Sequence, residues 1–195
     1  MEMTMTTDEH KSRTARSYKL ILLFAMASMT MMFAGLTSAF VVSKSRADWL
    51  KDFQLPTAFY YSTLAIIGCS VMFHLAKKAI QKDNQNATTK FLFATLVLGI
   101  LFVILQFVGF GQIVENGYYF TGSGSSITTT FLYVVTVVHM IHLAGGVISL
   151  LIIIYNHFKQ KYNSTQTLGI ELGAMYWHFL DLLWVYLFLF LYFFK

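Results

Sequence analysis

Two histidines three residues apart, His139 and His142, stand inside one uninterrupted apolar run, and a later run carries Glu171, His178 and Asp181. On a helix a spacing of three keeps His139 and His142 on one face; Glu171 and His178, seven apart, share nearly one face, with Asp181 a turn further on. Ionisable groups at membrane depth cost about 2.5–3.5 kcal/mol each on insertion scales, so each needs a partner or a task. Three chemistries fit. A metal or haem site would use the imidazoles and carboxylates as ligands, although HxxH lacks the glutamate of HExxH and the carboxylate spacing departs from that of di-iron bundles. A proton relay would use the same groups in series. Hydrogen bonds between helices, each on the order of 0.6–2 kcal/mol, would use them only to hold the bundle together.

Positioning these residues requires helices that cross a membrane. Of the 195 residues 56% are hydrophobic and only 12% charged, with a mean hydropathy of +0.60, whereas a soluble domain carries about a quarter charged residues. The apolar residues fall in five blocks, about 18–42, 57–77, 91–114, 127–158 and 168–194, each near or above the roughly 20 residues that span the hydrocarbon. The expected fold is all-α: an integral membrane bundle of five transmembrane helices over 18–195, preceded by a polar tail over 1–17. The first block is too long for the roughly 7–15-residue core of a signal peptide and lacks a small-x-small cleavage site. Pro56 is well placed just before the second helix, and the Gly/Ser/Tyr-rich stretch before Ile127 suits an interface.

The tail and the second and fourth connections hold ten basic residues (Lys11, Arg13, Arg16, Lys19, Lys77, Lys78, Lys82, Lys90, Lys159 and Lys161) against four on the opposite side, Lys44, Arg46, Lys51 and Lys195. That asymmetry predicts a cytoplasmic N-terminus and a periplasmic C-terminus. It also accounts for the net charge of +5 without a nucleic-acid partner. Cys69 is the single cysteine, so no intrachain disulfide or CxxC centre exists, and it reads as a small apolar helix residue.

The short turn after Phe158 makes the fourth and fifth helices antiparallel neighbours. If it centres near Asn163, Asp181 falls opposite Gly145 and within about one turn of His142. The two polar faces are then expected to meet, and Asp181→Leu to loosen that contact. Tyr176, Trp177 and Trp184 read as aromatic packing. Small residues at spacing four, Gly35 with Ala39, Gly145 with Ser149 and Gly169 with Gly173, allow close helix approach. His74 reads as a headgroup-level residue, Gln106 as a hydrogen-bonding one, and Met26, Met29, Met31 and Met32 as lipid-facing or packing surface.

Two stretches carry a family likeness. TFLYVVTVVHMIHLAGGVISLL (Thr130–Leu151) is similar to the HxxHxxxG helix of subunit III of the haem–copper respiratory oxidases, with His139, His142 and Gly146 in its motif; Gly145 and Gly146 read as helix-packing residues. GIELGAMYWHFLDLLWVYLFLFLYFF (Gly169–Phe194) resembles that family's closing helix, with Glu171, Tyr176, Trp177, His178, Phe179, Asp181 and Trp184 in its motif. LGILFVILQ (Leu98–Gln106) and, more weakly, Pro56 followed by STLAIIGCSVMFH (Ser62–His74) extend the likeness over the second to fifth helices. The resemblance implies the five-helix bacterial form of cytochrome c oxidase subunit III. It departs at two places: Met29 or a neighbour, and Gly109, stand where the family often has a glutamate.

The resemblance implies a subunit without catalytic or redox centres of its own, in a proton-pumping oxidase of aerobic electron transport. Haem and copper would lie in partner subunits. The chain would pack on subunit I beside subunit II, hold phospholipid, support proton uptake and protect the catalytic subunit, in the bacterial inner membrane, with further small subunits or a supercomplex as additional partners. A quinol oxidase subunit, a companion of nitric oxide reductase, a stand-alone proton channel and a membrane metalloprotein are the alternatives.

Overall fold

A computed structural model describes residues 7–46, 48–50, 54–122, 125–164 and 166–194, with side chains from Ser12 onward. Residues 1–6, the start of the expected polar tail, lie outside the described residues. Helix α1 spans Thr7–Val42 and is followed by a single 3-10 turn, Ser43–Ser45; α2 spans Thr57–Gln81, α3 Gln85–Glu115, α4 Ile127–Phe158 and α5 Leu168–Phe194. All five are long and apolar enough to cross a membrane, and the described residues form no strand beyond two isolated bridges.

Three helices outrun their apolar blocks. α1 begins at Thr7, inside the polar segment; α2 continues to Gln81; α3 starts at Gln85. Hydropathy marks the part of a helix that lies in lipid, whereas the backbone ladder runs on until a cap or a left-handed residue stops it. Between α2 and α3 that stop is Asp83, at φ 56°, followed by Asn84, whose side chain accepts from the Ala87 N–H at 3.0 Å. Ser126 begins α4 through a reciprocal cap with Thr129, and Gln160, at φ 54°, turns the chain after it. Each cap satisfies backbone groups that would otherwise face lipid headgroups unpaired.

α5 is the central helix, packed against α1, α2 and α4, while α2 and α3 form a long antiparallel pair and α3 also meets α4. Its Trp177 and Trp184 are fully buried together with Phe59, Ile66 and Phe73 of α2 and Phe102 of α3. A second cluster, Phe33, Val135, Leu183 and Leu187, fastens α1 to α4 and α5. Phe24, Met31, Val97, Ile141, Leu182 and Phe193 are exposed, which in a membrane places them against lipid or a neighbouring subunit.

Candidate functional site

The contact between α4 and α5 is made by aromatic donors on main-chain acceptors. Tyr176 Oη donates to the carbonyl of His142 at 3.0 Å, and Trp177 Nε1 to the carbonyl of Gly146 at 3.1 Å. Carbonyls inside a helix are normally shielded by the side chains around them. Here Gly146 removes that shield, since a Cβ on it would come within 2.9 Å of Leu180 Cδ1. Gly173 is as closely approached by Ile153 and Gly169 by Tyr162, whereas Gly145 would gain only an ordinary contact at 3.6 Å and Gly35 none. Gly146, Gly169 and Gly173 therefore sit at close approaches, and Gly145 and Gly35 do not.

The polar faces of α4 and α5 do not meet as the turn length suggested. His139 points into the middle of the bundle, its ring 5.2 Å from Trp184, 6.2 Å from Phe102 and 6.4 Å from Phe33. Neither of its ring nitrogens, nor the Thr136 hydroxyl one turn earlier, has a hydrogen-bond partner among the described residues. His142 lies toward α1, 5.8 Å from Phe33, and its Nδ1 donates to the Val138 carbonyl of its own helix at 2.7 Å.

His178 and Asp181 face α2 instead. His178 Nδ1 is 2.6 Å from Ser70 Oγ, and Asp181 lies beside Cys69 and Ser70. The expected loosening of the α4–α5 contact by Asp181→Leu is therefore corrected: the change falls on the α2–α5 contact. The cause is rotational. α5 is surrounded on three sides, so adjacency in sequence to α4 did not fix which face meets it. Glu171 takes a third direction, toward α1, where Lys19 Nζ donates to it at 2.7 Å and Thr167 Oγ1 at 2.8 Å. Both members of that pair are partly exposed, so it contributes at most about 1 kcal/mol.

On α2 and α3, Gln106 Nε2 donates to Ser62 Oγ at 2.9 Å, as expected of a residue bonding across helices. Cys69 Sγ donates to the Thr95 carbonyl at 3.3 Å. Trp184 Nε1 donates to Thr63 Oγ1 at 3.1 Å. His74 is exposed, with its ring 6.2 Å from that of His178. Thr63 and Ser70, the hydrogen-bond partners that sequence reasoning did not single out, are seven residues apart on α2, but small hydroxyl residues at that spacing are too common in membrane helices to stand out. In the α4–α5 connection, outside the spans, burial pushes the Tyr162 phenol above its ordinary value.

Among the described residues no three His, Cys, Asp or Glu side chains gather closely enough to hold a metal ion. The arrangement instead fastens helices pairwise: Glu171 to α1, Tyr176 and Trp177 to α4, and His178 and Trp184 to α2. An apolar crevice of about 390 Å³ opens between α1, α4 and α5, lined by Tyr18, Leu22, Ile152, Leu172 and Tyr176 among others.

Comparison with known proteins identifies the family of the chain. The family model described as cytochrome c oxidase subunit III matches residues 1–195. Among curated proteins named cytochrome c oxidase subunit 3, that of Spodoptera frugiperda is 33% identical over 140 residues, covering 72% of this chain and 89% of that protein. That of Thermostichus vulcanus is 27% identical over 175 residues, covering 88% and 84%. For the Drosophila yakuba protein the identity is 31% over 72% of this chain, and the match spans half of that protein's length. A match along the whole chain, with the aromatic and polar motif of α5 built into the centre of a five-helix membrane bundle, means that the chain belongs to the cytochrome c oxidase subunit III family.

Proposed function

We propose that this chain is the accessory subunit III of a proton-pumping cytochrome c oxidase in a bacterial inner membrane, with its N-terminus cytoplasmic and its C-terminus periplasmic. It packs beside subunits I and II, which hold the haem and copper, and further small subunits or a supercomplex extend the assembly. The observation that carries the reading is the family match over all 195 residues. The fold is consistent with a supporting role, because Glu171, Tyr176, Trp177, His178 and Trp184 of α5 each fasten a neighbouring helix rather than converging on one reactive atom. Phospholipid fits the apolar crevice between α1, α4 and α5, where acyl chains would meet an almost wholly hydrocarbon wall. By supporting proton uptake the subunit keeps the catalytic subunit from inactivation.

The test is oxygen consumption by the oxidase purified with and without this chain. The complex lacking it is expected to keep its haem and copper spectra and its initial turnover, but to lose activity several-fold sooner under sustained turnover. Equal lifetimes under turnover would overturn the supporting role.

A further inference from the structure

Asp181 is 4% exposed, and neither of its carboxyl oxygens has a hydrogen-bond partner among the described residues. An unpaired carboxylate in hydrocarbon is among the costliest groups a membrane helix can carry. The groups facing it are few. From α2 come the Cys69 thiol and the Ser70 hydroxyl, and the thiol already donates to the Thr95 carbonyl. On α5 itself His178 precedes it by one turn, bonded to Ser70 Oγ at 2.6 Å. Lys77, the next cation along α2, stands two turns beyond Ser70.

Exposure falls in order along this line of groups. His74 is exposed, Ser70 and His178 are half-buried, and Asp181 is buried. His74 stands one turn from Lys77 and Lys78, so the file starts near the basic end of the bundle and ends inside it. Ser70 is its pivot, because a hydroxyl has one proton and accepts on its lone pairs. When Ser70 donates to His178 Nδ1, Asp181 is left without a donor. When Nδ1–H donates to Ser70, the hydroxyl proton is free for Asp181.

We propose that His74, His178, Ser70 and Asp181 form a proton-exchange file in which Asp181 is a reversible proton-binding site inside the bundle. In loading, the Ser70 O–H bond breaks as an O–H bond forms on the Asp181 carboxylate. The His178 Nδ1–H bond breaks to restore the Ser70 hydroxyl, and His178 regains a proton at Nε2 from a hydronium ion at the His74 end, which leaves as water. One proton enters and one carboxylate is neutralised. The proposal concerns this chain's own side chains and deepens the proton-uptake part of the reading above. It fails separately from that reading, since an oxidase of full activity and normal metal content can lack the file.

The test is infrared difference spectroscopy of the purified complex on transfer from H2O to D2O. A carboxylic acid C=O band that shifts on deuteration is expected in the parent and is lost in Asp181→Asn. In Ser70→Ala the band persists at a changed frequency, and its exchange slows about tenfold, which is about 1.4 kcal/mol of barrier. A band retained in Asp181→Asn, or an exchange rate and frequency unchanged in Ser70→Ala, overturns the proposal. Should Asp181→Asn fail to assemble, Ser70→Ala decides alone, because only a carboxyl beside Ser70 responds to it.

Discussion

Trp184→Ala is expected to destabilise the bundle by about 3–5 kcal/mol, the range for removing a fully buried large aromatic side chain. The indole lies where α2, α3, α4 and α5 converge: its ring is 5.7 Å from Phe59, 5.2 Å from Phe102 and 5.2 Å from His139, and its Nε1 donates to Thr63. Lipid is as apolar as the bundle core, so little of the loss is transfer of surface from water. It comes from packing contacts forfeited around a void. The comparison that isolates this is Trp184→Phe, which keeps a ring and gives up mainly the hydrogen bond to Thr63, for about 0.6–2 kcal/mol. Reversible unfolding in mixed detergent measures both. If the alanine variant were no worse than the phenylalanine variant, the ring would not be the point on which the helices converge.

Gly109→Glu restores a carboxylate where the family resemblance places one, and is expected to abolish assembly. A Cβ on Gly109 would drive into the Phe59 ring, which is fully buried and held edge-on by Trp184 and Phe110. Overpacking of this kind costs about 1–3 kcal/mol, and an ionisable group at this depth about 2.5–3.5 kcal/mol more. Two controls separate the terms. Gly109→Ala carries the steric part alone, while Gly111→Ala, with nothing near its Cβ, is neutral or stabilising by up to about 1 kcal/mol through helix propensity. Adding Phe59→Ala to Gly109→Glu opens the space, so the double variant costs less than the sum of its parts. Simple additivity, read from the fraction of chain recovered in the complex, would show that Phe59 does not occupy that space.

The number of helices and their order were legible because a span needs a long apolar run, and each run is separated from the next by polar residues or a turn signal. Helix ends were less so. Thr7–Ser17 and Gln85–Lys90 are polar yet helical, since charge decides which part of a helix enters lipid and a cap decides where it stops. The α5 motif was legible as a set but not as a geometry. Spacing puts His178 and Asp181 on one side of α5, but which neighbour occupies that side depends on how α1, α2 and α4 surround it. That is why Ser70 and Thr63, unremarkable in sequence, turned out to be the partners of His178 and Trp184. Gln106 was read correctly as a bonding residue because an amide inside a membrane helix has few other uses.

A subunit of an oxidase whose redox centres lie in its partners should be recovered together with them. The most direct test is to recover the chain from native membranes in mild detergent and record the optical spectrum and metal content of what comes with it. Haem and copper in a complex with a large catalytic subunit are the expected result. A colourless, metal-free preparation, with the membrane's oxidase recovered intact in another fraction, would contradict it.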